Sequence, residues 1–130
     1  MTTEETITDM LGKPYVVEGT DQSHKHICWS FCREICALFE LPLQHYQHYD
    51  KQLCRITEPV VPCIVLFHVV IDWHAGVVWP DGLHFVHASP KNILDPNPTE
   101  YVVRKDSLTA WPYKLLIEGY YHNSKLKTQN

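Results

Sequence analysis

His74-Ala-Gly-Val-Val-Trp-Pro-Asp-Gly-Leu-His-Phe-Val-His-Ala88 is the stretch on which the reading of this chain turns. His74 to Trp79 is rich in β-branched and aromatic residues and reads as a strand, as does Leu83 to Ala88. Between them Asp81-Gly82 supplies the two-residue signal of a tight hairpin, because glycine enters the left-handed backbone region without a Cβ clash. Gly76, inside the first strand, marks a place where another backbone or a substrate comes close.

Working outward, Cys63-Ile-Val-Leu-Phe-His-Val-Val70 reads as a buried strand, Tyr101-Val-Val-Arg104 as a short strand and Lys114 to Tyr121 as a final one. Prolines 90, 96 and 98 mark a loop, and residues 43 to 59 read as polar, aromatic and irregular. Upstream the period changes. Cys28, Phe31, Cys32, Ile35, Leu38 and Phe39 fall on one stripe of an amphipathic helix, with Arg33, Glu34 and Glu40 off it. Leu41-Pro42 stops that helix, since proline disfavours helical backbone in the residue before it. Residues 1 to 27 are polar and carry turn signals, with Tyr15-Val16-Val17 as a short strand or docking segment. An early helix followed by antiparallel strands predicts an α+β fold.

The chain has 130 residues, which suits one domain, residues 1–130, with 1–20 as an N-terminal extension. Eleven basic residues against fifteen acidic ones leave a formal charge of −4, and no basic face is written to neutralise phosphates, so no nucleic acid is expected as a partner. The longest apolar run, Val60 to Ile71, is shorter than the roughly 20 residues that span a bilayer, so no membrane insertion is expected. The N-terminus has neither a basic nor an apolar signal region, which predicts a chain made in the cytoplasm. Five cysteines, an odd number without a signal peptide, read as thiols.

Cys28 stands in the first turn of the expected helix, where free amides and the positive dipole end stabilise a thiolate. On periodicity alone it reads first as the leading apolar residue of the stripe, a small buried hydrophobe, and Cys32 and Cys36 are read the same way. His74 opens one strand of the hairpin and His87 lies on the other, so a nucleophile, a base and a group to orient the base are all present.

Two of these segments resemble the NlpC family of papain-like cysteine peptidases. Cys28-Trp-Ser-Phe-Cys-Arg-Glu-Ile35 is similar to that family's nucleophile motif, and His74 to Ala88 is similar to its histidine signature. Trp111-Pro-Tyr-Lys-Leu-Leu-Ile-Glu-Gly-Tyr-Tyr-His122 resembles the ending of phage-tail members. The resemblance implies a helix bearing the nucleophile, packed on an antiparallel sheet of about five or six strands. It implies Cys28 as nucleophile, His74 as general base and His87 as the group orienting His74, without a cofactor or metal. It further implies hydrolysis of peptide bonds in bacterial peptidoglycan stem peptides, as part of a phage tail or similar delivery particle that carries the domain to the periplasm. Tail or secretion-machine proteins are then its partners. The backbone N–H of Cys28 would contribute to the oxyanion hole. The chain departs from the family pattern in Ile27 where Asp is usual, in Ser30 where Gly is usual, and in one extra residue between His74 and His87.

Three alternatives compete. A zinc site could draw on His24, His26 and Cys28 at spacing two and on His84 and His87, but no Cys-x-x-Cys or His-Glu-x-x-His is written, and alternation sets His84 and His87 on opposite strand faces. A non-enzymatic module of the same fold could bind peptidoglycan or a partner through its tryptophans and tyrosines, although core packing accounts for most of them. A secreted antibacterial amidase effector would share the chemistry and differ in delivery. Histidines 45, 48, 68 and 122 read as surface or satisfied core residues.

Overall fold

A computed structural model describes residues 1–40, 43, 53–58, 63–70 and 73–123. Helices α1 (Thr3–Met10) and α2 (His24–Leu38) are followed by strands β1 (Leu53–Ile56), β2 (Ile64–His68), β3 (Trp73–Val78), β4 (His84–Ser89) and β5 (Val102–Ser107). A short helix, α3 (Tyr113–Leu116), then leads into β6 (Ile117–Asn123). The fold is α+β, with one six-stranded antiparallel sheet in the order β1-β6-β2-β3-β4-β5.

The hairpin forms, but its ladder closes at Trp79 and His84, so Pro80 to Leu83 make a four-residue loop in place of a two-residue turn. Val77 pairs with Val86 and Val78 with Phe85, and Trp79 N–H donates to the His84 carbonyl at 2.7 Å. Gly82 takes φ 72°, and Asp81 Oδ1 accepts from the N–H groups of Leu83 and His84, which closes the turn. Gly76 earns its place by packing: a Cβ there would sit 2.8 Å from Phe85 Cδ2 and 3.1 Å from the Val86 carbonyl oxygen. The close approach is thus made by the neighbouring strand.

Alternation along the strands sorts the core into two layers. One sheet face carries Ile64, Leu66, Ala75, Val77, Val86, Ala88 and Val103, and packs against Ile27, Cys28, Phe31, Cys32 and Ile35 of α2. The other face carries Val65, Phe67, Val78 and Phe85, covered by Ile93, Leu108 and Tyr113. Ile7 of α1 is wholly buried in the first layer, so the N-terminal twenty residues include a packed helix. A capping box explains why α1 starts where it does: the Thr2 hydroxyl accepts from the Glu5 N–H, and Glu5 returns the bond to the Thr2 N–H. Gly12 to Tyr15 then runs beside β5, with Tyr15 N–H donating to the Tyr101 carbonyl at 2.8 Å, and shields that sheet edge; of the expected Tyr15-Val16-Val17 segment only Tyr15 takes part, and it forms no strand.

Several expected boundaries move. Helix α2 begins at His24, not Cys28, because Ser23 caps it and accepts from the His26 N–H. It ends through Phe39 and then Glu40, which takes φ 61°; Leu41-Pro42 lies outside the described residues. Lys114 to Leu116 is helical rather than strand, following the turn at Trp111-Pro112. Strand β5 runs on to Ser107, three residues past its expected end. Most of the irregular stretch 43 to 59 lies outside the described residues, as do His45 and His48, while Leu53–Ile56 within it forms a strand paired with β6. His68 is exposed and His122 half-buried.

Candidate active site

The site is assembled from the start of α2, the first residues of β3, and the diagonal neighbours of β4 and β5. On α2, His24 and Cys28 are four residues apart and share one face. On β3, His74 lies at the end away from the turn, where the two-pair ladder to β4 does not reach. On β4, His87 pairs with Arg104 and Phe85 pairs with Asp106, so Asp106 is the diagonal neighbour of His87 on the same face. Cys28, His74 and His87 expose no surface, and His24 is 5% exposed.

These groups form one continuous chain of hydrogen bonds. Tyr101 Oη is 2.9 Å from His24 Nδ1, and His24 Nε2 is 2.9 Å from His74 Nδ1. His74 Nε2 is 2.7 Å from His87 Nδ1, and His87 Nε2 is 2.8 Å from Asp106 Oδ2. Asp106 is held in turn by Arg104 Nη2 at 3.0 Å and by the Tyr113 hydroxyl at 3.3 Å. The direction of the chain follows from its acidic end. An ionised carboxylate only accepts, so His87 carries its proton on Nε2 and accepts through Nδ1. His74 and His24 follow the same pattern, and the Tyr101 hydroxyl donates the last bond.

Charge in this chain is set by burial against partners. Burial lowers the His74 pKa well below the ordinary histidine value, and the neighbouring His87 and His24 push it the same way. His87 is also lowered, its burial outweighing the Asp106 carboxylate that favours the charged ring. For Asp106, burial raises the pKa, but the His87 hydrogen bond and the Arg104 charge together hold it below the ordinary value. At rest His74 and His87 are therefore neutral imidazoles ending on a carboxylate.

Cys28 Sγ lies 3.4 Å from the Lys25 carbonyl oxygen. It also lies within 4.8 Å of one ring nitrogen each of His24 and His74. Cys32 and Cys36 face the core one and two turns on. Burial pushes Cys32 well above the usual thiol range and Cys36 up to about 12, so both stay protonated. Beside the site, a groove of about 360 Å³ is lined by Tyr15, Gln22, Ile27, Glu100 and Tyr101, and so reaches the residue whose hydroxyl holds His24.

Cys28, His74 and His87 are brought together; of the residues weighed for a zinc site, His24 stays beside Cys28, whereas His26 and His84 turn elsewhere. His26 turns to Asp21 at 4.0 Å, and His84 bonds Asp81 at the exposed turn, on the opposite strand face from His87. Cys28 is the fifth residue of α2, so its N–H falls within the regular i−4 ladder rather than among the free amides of the first turn. Three residues were not singled out for these roles. His24 becomes a neighbour of Cys28 once Ser23 is recognised as a cap. Asp106 becomes one once β5 extends past Arg104. Tyr101 gives no sequence signal for its bond to His24. Comparison with family models and with curated proteins finds no match to this chain. Among the described residues, no helix is long and apolar enough to cross a membrane.

Proposed function

We propose that this chain is a cysteine hydrolase with the papain-like fold of the NlpC family, cutting peptide bonds in bacterial peptidoglycan stem peptides. One observation carries the reading: His74 presents one side to the Cys28 neighbourhood and donates from the other, at 2.7 Å, to His87. This supports Cys28 as nucleophile, His74 as base and His87 as orienter, with Asp106 as a further anchor 2.8 Å beyond His87. The helix on an antiparallel sheet and the two motifs agree with the family's architecture.

In the proposed reaction the Cys28 thiol passes its proton to His74, across a contact that closes to hydrogen-bond reach or through one water. Nδ1 of His74 accepts from His24 in the resting site, so His24 yields that bond first. The thiolate attacks the scissile carbonyl, forming a C–S bond, and the protonated His74 delivers its proton to the departing amine. Water, activated by His74, then hydrolyses the thioester. Throughout, the positive charge on His74 is stabilised through His87 by the Asp106 carboxylate. A phage tail or similar particle is the proposed carrier to the wall.

A second reading, a non-catalytic wall-binding or tail module of the same fold, is favoured by the complete burial of Cys28 and His74. Hydrolysis of defined stem peptides by wild type and His74→Ala separates the two. The hydrolase reading expects a loss of about 10²–10⁴-fold in the variant, and equal rates would sink it.

A further inference from the structure

We propose that His24, Cys28 and His74 form a binding site for a divalent transition metal of the zinc class, with the fourth position left for water or an incoming ligand. The donor atoms are already gathered: one ring nitrogen of each histidine and Cys28 Sγ lie within 4.8 Å of one another. Zinc at about 2.0–2.3 Å from nitrogen and sulfur in a tetrahedron sets its ligand atoms roughly 3.3–3.8 Å apart. The facing nitrogens of His24 and His74, 2.9 Å apart, need only open slightly to admit the ion. Helix register fixes two of the ligands on one face of α2 and β3 supplies the third, so the site is built on regular elements.

The donor set selects the ion class. A thiolate with two imidazoles suits zinc and its neighbours, not magnesium or calcium, which take oxygen ligands. The surroundings are those a metal-bound histidine requires, with the outer ring nitrogen engaged so that tautomer and ring orientation are fixed. His74 is held this way by His87 and Asp106, and His24 by Tyr101. Protons balance on binding. Cys28 releases its thiol proton to solvent, and the His24 proton moves from Nε2 to Nδ1, where the Tyr101 oxygen accepts it. His74 keeps its Nε2 proton on His87. The three donors are 0–5% exposed, which shields the metal–sulfur bond from competing water.

The site shares Cys28 and His74 with the hydrolase reading, and on that reading an ion there withholds both nucleophile and base. Metal binding itself does not depend on turnover, so its test does not either. Purified full-length protein, freed of metal with a chelator, is titrated with Co²⁺ and then Zn²⁺ while absorption is followed. The expected result is one equivalent of Co²⁺ bound with a thiolate-to-cobalt charge-transfer band, displaced by Zn²⁺. Cys28→Ser removes the band, and His24→Ala weakens Zn²⁺ binding by more than the roughly 10–100-fold that loss of an outer partner costs. Cys36→Ala, which alters a thiol outside the trio, keeps the band. Circular dichroism of each protein verifies the fold, and Cys28→Ser, nearly isosteric, supplies the decisive arm should His24→Ala not fold. A folded wild type that shows no charge-transfer band, or a Cys28→Ser protein that keeps it, overturns the proposal. Failure of peptide hydrolysis alongside an intact cobalt band removes the hydrolase reading and leaves the metal site standing.

Discussion

Cys28, Cys32 and Cys36 lie on one helix within nine residues, and their surroundings give them different chemistry. Cys28 alone of the three meets the histidine chain, while burial keeps the other two protonated. Cys28→Ala is therefore expected to abolish hydrolysis with the fold intact. Cys32→Ala and Cys36→Ala should leave turnover in place and cost about 1 kcal/mol of stability each, read by urea denaturation. On the proposed assignment of His74 as base and His87 as its orienter, His87→Ala should slow hydrolysis less than His74→Ala does. Motif and spacing made the proximity of Cys28, His74 and His87 legible. Asp106 and His24 were hidden because their roles depend on a strand and a helix extending past their expected ends. A diagonal cross-strand contact and a helix-to-strand contact are not written in any local spacing.

The elements that position these residues obey local rules at their ends and packing rules in their middles. The hairpin was legible because Asp81-Gly82 dictates its turn, and the α2 stripe because its period is helical. Helix α1 was not. Its Thr2-Thr-Glu-Glu5 capping box is a readable signal, but only Ile7 buries, so hydrophobic periodicity is too thin to mark it. Thr2→Ala should cost about 1 kcal/mol, measured as a shift of the denaturation midpoint. Gly76→Ala should cost about 1–3 kcal/mol by overpacking, since the new methyl meets Phe85 and the Val86 carbonyl. The same methyl would lie 3.4 Å from His87 Cβ, so hydrolysis should fall along with stability. Unchanged stability in this variant would contradict the tight β3–β4 contact.

At the scale of the sheet, the C-terminal strand returns to the middle of the sequence: β6 sits between β1 and β2, an order that no local pattern encodes. The α+β class followed from counting elements, but strand order depended on which faces could be buried together. Burying His74 and His87 also links stability to pH. Their folded pKa values lie below the ordinary value of about 6.5, so below that pH the unfolded chain takes up protons that the folded chain does not. Stability should be full above about pH 6.5 and decline on acidification through that value, before the Asp106 contribution is lost at lower pH. Urea midpoints at pH 7 and pH 5 check this, with the lower midpoint expected at pH 5. The central claim is tested most directly by digesting purified peptidoglycan with chelator-treated wild type and Cys28→Ala, reading products by mass spectrometry. New stem-peptide fragments with wild type alone are the predicted result; a folded wild type that releases no fragments, or a Cys28→Ala protein that releases the same ones, would contradict it.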